Sequence, residues 1–85
     1  MELRYSSKFK KQYKKLPIKI RKQFIERVDL FLRDSQDSLL RLHKLSGPLQ
    51  DSWSINITGD VRVVFDKCDN HLLFISIGSH SKLYS

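Results

Sequence analysis

A single cysteine, Cys68, rules out an internal disulfide framework and a paired-cysteine metal knuckle, so a small secreted scaffold or zinc ribbon is excluded. A reducing cytosol suits such a chain. Two prolines and three glycines are too few for a Gly-rich phosphate loop, and there is no linker, low-complexity segment or internal repeat. The N-terminus lacks the apolar run of about 7–15 residues that a signal peptide needs, and nowhere do about 18 apolar residues follow one another. No membrane association is therefore expected, and the cytoplasm is the expected location. Acidic residues are scarce as well, 9 against 16 basic ones.

What is present fits one core. The chain has 85 residues, of which 40% are hydrophobic, with five Phe, three Tyr and one Trp. Domains usually take about 100–200 residues, so residues 1–85 are read as one small domain. The net charge of +7 is unevenly distributed. Residues 1–44 hold 13 basic and 5 acidic residues, whereas residues 45–85 hold 3 and 4. A one-sided positive field attracts phosphate polyanions, and the competing reading is a solvated helix face.

Hydrophobic periodicity orders the elements. Glu2-Leu3-Arg4-Tyr5 alternates with period two and reads as a strand, and Ser6-Ser7 supplies a helix N-cap. Phe9, Tyr13 and Leu16 then share one helical face, leaving Lys8, Lys10, Lys11, Lys14 and Lys15 on the remainder. Lys10, Lys11, Lys14 and Lys15 are the first candidates for RNA contact. Pro17 ends this helix and opens another, whose Ile20, Phe24, Val28 and Phe31, with Ile25 and Leu32 alongside, keep helical spacing. The two helices form an αα-hairpin.

From Ser35 to Asp51 the chain reads as a loop with one helical turn near Leu39-Leu40 and a break at Gly47-Pro48. Trp53, Ile55 and Ile57 alternate with polar residues, Gly59-Asp60 turns the chain, and Val61-Arg62-Val63-Val64-Phe65 returns as a hairpin partner. Leu72 to Ile77 is apolar enough for a central strand, and the residues after Gly78 read as a short polar tail. The expected fold is α+β: the αα-hairpin packed on a small, mainly antiparallel four-stranded sheet, in the order β-α-α-β-β-β.

His43, His71 and His80 lack short metal-ligand spacing, so no metal or other cofactor is expected. Phosphate chemistry on a captured RNA strand fits the composition better. RNA cleaves itself if its 2′-OH loses a proton, the charge growing on the phosphate is stabilised, and the 5′ oxygen gains a proton. That calls for a base, a cation and an acid. His80, in Gly-Ser-His-Ser just past the apolar strand, is the leading proton-transfer candidate, because imidazole is the side-chain type suited to proton exchange at physiological pH; otherwise it is an exposed tail residue. Arg62 points away from the Val61/Val63/Phe65 face, to grip a phosphate or to pair with Asp66. Asp60 is either a turn residue or an acid/base group. Tyr84 either stacks on a base or pins the tail. His43, beside Lys44 in a basic loop, is either a second proton carrier or a solvated histidine. Lys44 joins the RNA-contact set.

Three segments carry a resemblance: His43-Lys44-Leu45-Ser46-Gly47-Pro48-Leu49, Val61-Arg62-Val63-Val64-Phe65, and the ending Ile77-Gly78-Ser79-His80-Ser81-Lys82-Leu83-Tyr84. With the order of elements, they make nearly the whole chain similar to toxins of the RelE/ParE superfamily, specifically the RelE and YafQ-like mRNA interferases. The ending is the most specific, for YafQ-like members commonly close on Gly-Thr/Ser-His with an aromatic four residues later. The resemblance implies a metal-independent endoribonuclease that enters the ribosomal A site, cuts mRNA there and inhibits translation. A cognate antitoxin would neutralise it in a hetero-oligomer. General-acid chemistry would fall on His80, base stacking on Tyr84, phosphate contact on Arg62 and acid/base help on Asp60. Where the YafQ-like pattern has two histidines and an acidic residue, this chain has Gly47, Asn56 and Ser54, which leaves the general base open, with His43 as a displaced substitute. The alternatives from other classes are a ParE-like DNA gyrase inhibitor, which shares the fold without nuclease chemistry, and a non-catalytic nucleic-acid-binding module.

Overall fold

The computed structural model describes residues 1–45 and 52–84, with side chains through Leu83. In chain order the elements are β1 (Glu2–Tyr5), α1 (Ser7–Lys14), α2 (Ile18–Arg33), β2 (His43–Lys44), β3 (Trp53–Asn56), β4 (Val61–Lys67), β5 (His71–Ser79) and α3 (His80–Tyr84). The strands form one sheet in the order β1-β5-β4-β3-β2. No helix among the described residues is long and apolar enough to cross a membrane.

The α+β class, the helical hairpin and the mainly antiparallel character of the sheet agree with the sequence; the strand count does not, because the described residues form five strands where four are expected. β1 runs parallel to β5, with Glu2 opposite His71 and Tyr5 opposite Phe74. A parallel neighbour requires a long crossover, which α1 and α2 supply. The other three pairings are antiparallel. β2 is the added strand, two residues that pair with Trp53 and Ser54 inside the segment read as a loop. Two residues are too few for alternation to register in a sequence. The turn near Leu40 is present, with the Leu40 amide bonded to the Asp37 carbonyl at 3.1 Å, whereas Gly47-Pro48 lies outside the described residues.

The presumed polar tail is a helix. Ser79 Oγ accepts the Lys82 amide at 3.4 Å, and Leu83 lies over Gly78, so the end of the chain is attached to β5 instead of trailing from it.

α1 starts where the cap predicts. Ser6 Oγ accepts the Phe9 amide at 3.0 Å and donates to the Ile75 carbonyl at 2.7 Å. Ile75 is the extra residue of a bulge, for Val64 pairs with Ser76 and Phe65 with Phe74. Further along, Gln12 Oε1 accepts the Ile77 amide at 2.8 Å. α1 therefore satisfies the edge of β5 beyond the point where β1 stops.

Phe9, Phe24, Val28 and Phe31 of the helices pack on Ile55, Val63, Phe65, Phe74 and Ile77 of the sheet. Phe24 meets Phe74 at 5.3 Å between ring centroids and Phe31 meets Phe65 at 5.3 Å, both edge to face. Each such buried side chain contributes about 1.5–3 kcal/mol relative to exposure. Ile25 and Leu32 share the helical spacing but not the burial. Each follows a buried residue, Phe24 or Phe31, and one step of about 100° turns it towards solvent.

Candidate functional site

Alternation along β4 gives the sheet its second face. Val61, Val63 and Phe65 join the core, so Arg62, Val64 and Asp66 project from the other side. Residues directly opposite in an antiparallel pair share a face. Arg62 is thus flanked by Asn56 on β3 and Gly78 on β5, and Val64 by Ser54 and Ser76. In the next row Ser52 Oγ donates to Asp66 Oδ1 at 2.7 Å. Small polar side chains line this face. Gly78 leaves space beside the guanidinium, since a Cβ there would meet nothing nearer than Leu83 Cδ2 at 3.8 Å.

The β3–β4 hairpin tip is held by Thr58, whose Oγ1 accepts the Val61 amide at 2.9 Å and the Asp60 amide at 3.2 Å. This fixes the Asp60 carbonyl, which accepts the His80 amide at 3.1 Å and Arg62 Nη1 at 3.2 Å. Asp60, Arg62 and His80 therefore meet at one end of the sheet. His80 is the first residue of α3, exposed and anchored through its backbone. Asp66 is engaged by Ser52, and the ion pairs among the described residues are Arg4–Glu2 and Arg33–Asp29. The Arg62–Asp66 pairing is not formed, and the half-buried Arg62 has no ion-pair partner among the described residues.

Other candidates lie apart. His43 pairs with Ser54, so it shares the polar face, but at the far edge of the sheet. At about 4.8 Å per strand, β2 stands two spacings from Arg62. Its Nδ1 donates to the Arg41 carbonyl at 2.9 Å. Arg41 holds a left-handed φ of 46°. Lys44 pairs with Trp53 and falls on the opposite face. The lysines divide between two places. Lys10 and Lys14 border an apolar hollow between the helices, whereas Lys15 and Lys82 line a cavity of about 360 Å³ beside Ser79. Tyr84 closes α3 one turn after His80, and its stacking role falls on a side chain outside the described set.

Asn56 is the residue whose position the sequence conceals. It is 8% exposed, sits directly across from Arg62, and its Oδ1 has no hydrogen-bond partner among the described residues. An orphaned buried acceptor costs about 1–3 kcal/mol. The only hint in the sequence is its phase, between Ile55 and Ile57.

This architecture is found in known toxins. YafQ from E. coli strain BL21(DE3) superposes with a TM-score of 0.82 at 16% identity, covering 99% of this chain and 98% of that one. A copper-bound mutant toxin from Helicobacter pylori superposes with a TM-score of 0.77 at 24% identity, covering 99% of each chain. The toxin of the E. coli DinJ–YafQ toxin–antitoxin complex superposes with a TM-score of 0.81 at 17% identity, covering 99% and 97%. At these identities the likeness establishes the fold. No curated protein sequence matches the chain. The family model described as "Bacterial toxin of type II toxin-antitoxin system, YafQ" matches residues 1–85, and by that match over its whole length the chain belongs to the YafQ family of toxins.

Proposed function

We propose that this toxin is a ribosome-dependent endoribonuclease of the cytoplasm, acting as one domain over residues 1–85, that cuts mRNA by attack of the substrate's own 2′-OH. The observation that carries this reading is the Asp60 carbonyl, which joins the His80 backbone and the Arg62 guanidinium where the exposed Asp60 and His80 end an otherwise buried sheet face. In this reading Arg62 holds the scissile phosphate through its guanidinium fork, and the His80 imidazole is the proton donor beside it. In the reaction the 2′-OH gives its proton to a base and its oxygen bonds to phosphorus. Arg62 balances the added charge, and the bond from phosphorus to the 5′ oxygen breaks as His80 supplies a proton. The products are a 2′,3′-cyclic phosphate and a 5′-OH.

The exposed Asp60 carboxylate is assigned as the base, and Tyr84, one turn beyond His80, is assigned to stack on a substrate base. His43, two strands away, takes no part in this step. Attack by the 2′-OH requires no activated water, so the reaction proceeds without a metal ion. The DinJ–YafQ complex provides the analogy for the second partner, a cognate antitoxin that neutralises the toxin in a hetero-oligomer.

Primer extension on an mRNA translated in vitro tests the reading. New stops within codons that appear only with the protein and only during translation are expected. A 2′-deoxyribose before the cut position should abolish them. Intact mRNA accompanied by gyrase-dependent DNA breaks would overturn the reading in favour of the ParE-like alternative.

A further inference from the structure

The connection from α2 to β2 meets the β3–β4 hairpin around a cavity of about 360 Å³ that the Asp60–Arg62–His80 group does not use. Arg27 of α2 contributes one wall, Ser38 and Arg41 of the connection a second, and Asn56, Thr58 and Gly59 the third. It lies where β3 continues past the two residues of β2. There the Asn56 amide donates to the Leu40 carbonyl at 2.7 Å, which ties the connection to the strand. Two guanidinium groups border the cavity, and no carboxylate does among the described residues. The half-buried Arg27 donates through Nη1 to the Leu39 carbonyl at 2.8 Å, which fixes the side chain and leaves the rest of its fork to a ligand. Neither arginine has an ion-pair partner among the described residues.

The backbone under Arg41 is unusual. Its φ of 46° lies in the left-handed region, where a side chain is disfavoured and glycine is not. The neighbours hold it there. Leu40 is fully buried, and the Arg41 carbonyl accepts His43 Nδ1 at 2.9 Å. The fold at this position is therefore met best by glycine, and the arginine is explained by what its side chain binds. Strain of this kind collects where a side chain must be presented in one direction.

Asn56 joins the cavity to the proposed reaction. It lines the cavity, and it stands directly across from Arg62 in an antiparallel pair, where Cα atoms are about 4.5–5.5 Å apart. Its buried Oδ1 has no partner among the described residues, and a ribose hydroxyl or a base N–H is the kind of donor that would supply one. We propose that this cavity is a second phosphate subsite, in which Arg27 and Arg41 hold the phosphate of an mRNA nucleotide beside the one that is cut. The proposal rests on the reading of the chain as an mRNA endonuclease. Guanidinium forks suit a phosphate, and one RNA strand held by Arg62 continues past Asn56 into the cavity.

The test couples the protein to its substrate on ribosomes programmed with synthetic mRNA. Each linkage near the cut is replaced in turn by an uncharged methylphosphonate, and single-turnover cleavage is followed at rising toxin concentration. In the wild type, one linkage other than the scissile one is expected to raise the half-saturating concentration about 10-fold or more, the effect of a charge-assisted hydrogen bond, with the rate at saturation kept. Arg41→Gly, which accepts the left-handed φ, and Arg27→Gln should each be weakened on unmodified mRNA and be indifferent to that same linkage. Circular dichroism verifies both folds. If the folded variants respond to every uncharged linkage as the wild type does, the cavity holds no mRNA phosphate, although the endonuclease reading stands. If the variants capture ribosomes less well and no mRNA linkage couples to them, the arginines contact ribosomal RNA and the proposal is overturned. If the wild type leaves unmodified mRNA intact, the endonuclease reading fails and the proposal with it.

Discussion

His80 and Arg62 are separable by what each substitution removes. His80→Ala deletes an exposed imidazole while the backbone bond to Asp60 survives, so the fold should be retained. Loss of a general acid typically slows a reaction about 10²–10⁴-fold, and single-turnover cleavage on programmed ribosomes should fall by that order. Arg62→Lys keeps the charge but loses the planar fork and its bond to the Asp60 carbonyl, so a smaller loss is expected. Unchanged rates in both folded variants would remove the proton-transfer assignment. These two residues were readable because each breaks a local pattern, a cation inside an apolar strand and a histidine just past one. Asn56 breaks none. A polar residue between two isoleucines is what any half-solvated strand contains, and its burial opposite Arg62 depends on register across the sheet.

At the scale of elements, Ser6 joins α1 to β5. One hydroxyl caps the helix through the Phe9 amide and satisfies the carbonyl of the bulged Ile75. Ser6→Ala removes both bonds together. A lost N-cap costs about 0.5–2 kcal/mol, and the second bond places the change at the upper end of that range. Urea unfolding should show a lower midpoint with an unchanged slope, since the surface exposed on unfolding is the same. A midpoint equal to the wild type would mean that solvent replaces both contacts. The cap was visible in Ser6-Ser7 and the helix start followed from it. The bond to Ile75 was not visible, because the two residues meet only after β1 and β5 have paired. β2 and α3 escaped for the same reason. Each is short, and pairing or docking against β3 and β5 stabilises them where local propensity does not.

For the whole molecule, the basic residues are spread over more than one place: Lys10 and Lys14 border an apolar hollow between the helices, while Lys15 comes together with Lys82 from the other end of the chain. Lys15 and Lys82 line the cavity beside Ser79, the residue that precedes His80 in the chain. Lys15→Glu with Lys82→Glu should therefore weaken RNA capture, and each lost phosphate contact should lower the salt slope by roughly 0.7 for a single strand. Saturating concentrations should restore cleavage. An unaltered slope in filter binding would make both lysines merely solvated. The sequence by itself determined the helical hairpin, the β3–β4–β5 meander, the core aromatics and the basic first half, because periodicity, capping and turn residues act over a few neighbours. Only the tertiary structure decided that β1 lies parallel to β5, that Asp60, Arg62 and His80 meet at one end of the polar face while His43 remains two strands away, and that Lys10 and Lys14 border an apolar hollow while Lys15, just past α1, lines a cavity. Those outcomes depend on strand order and helix rotation, which are set by how the apolar faces close on one another and not by any stretch of chain taken alone.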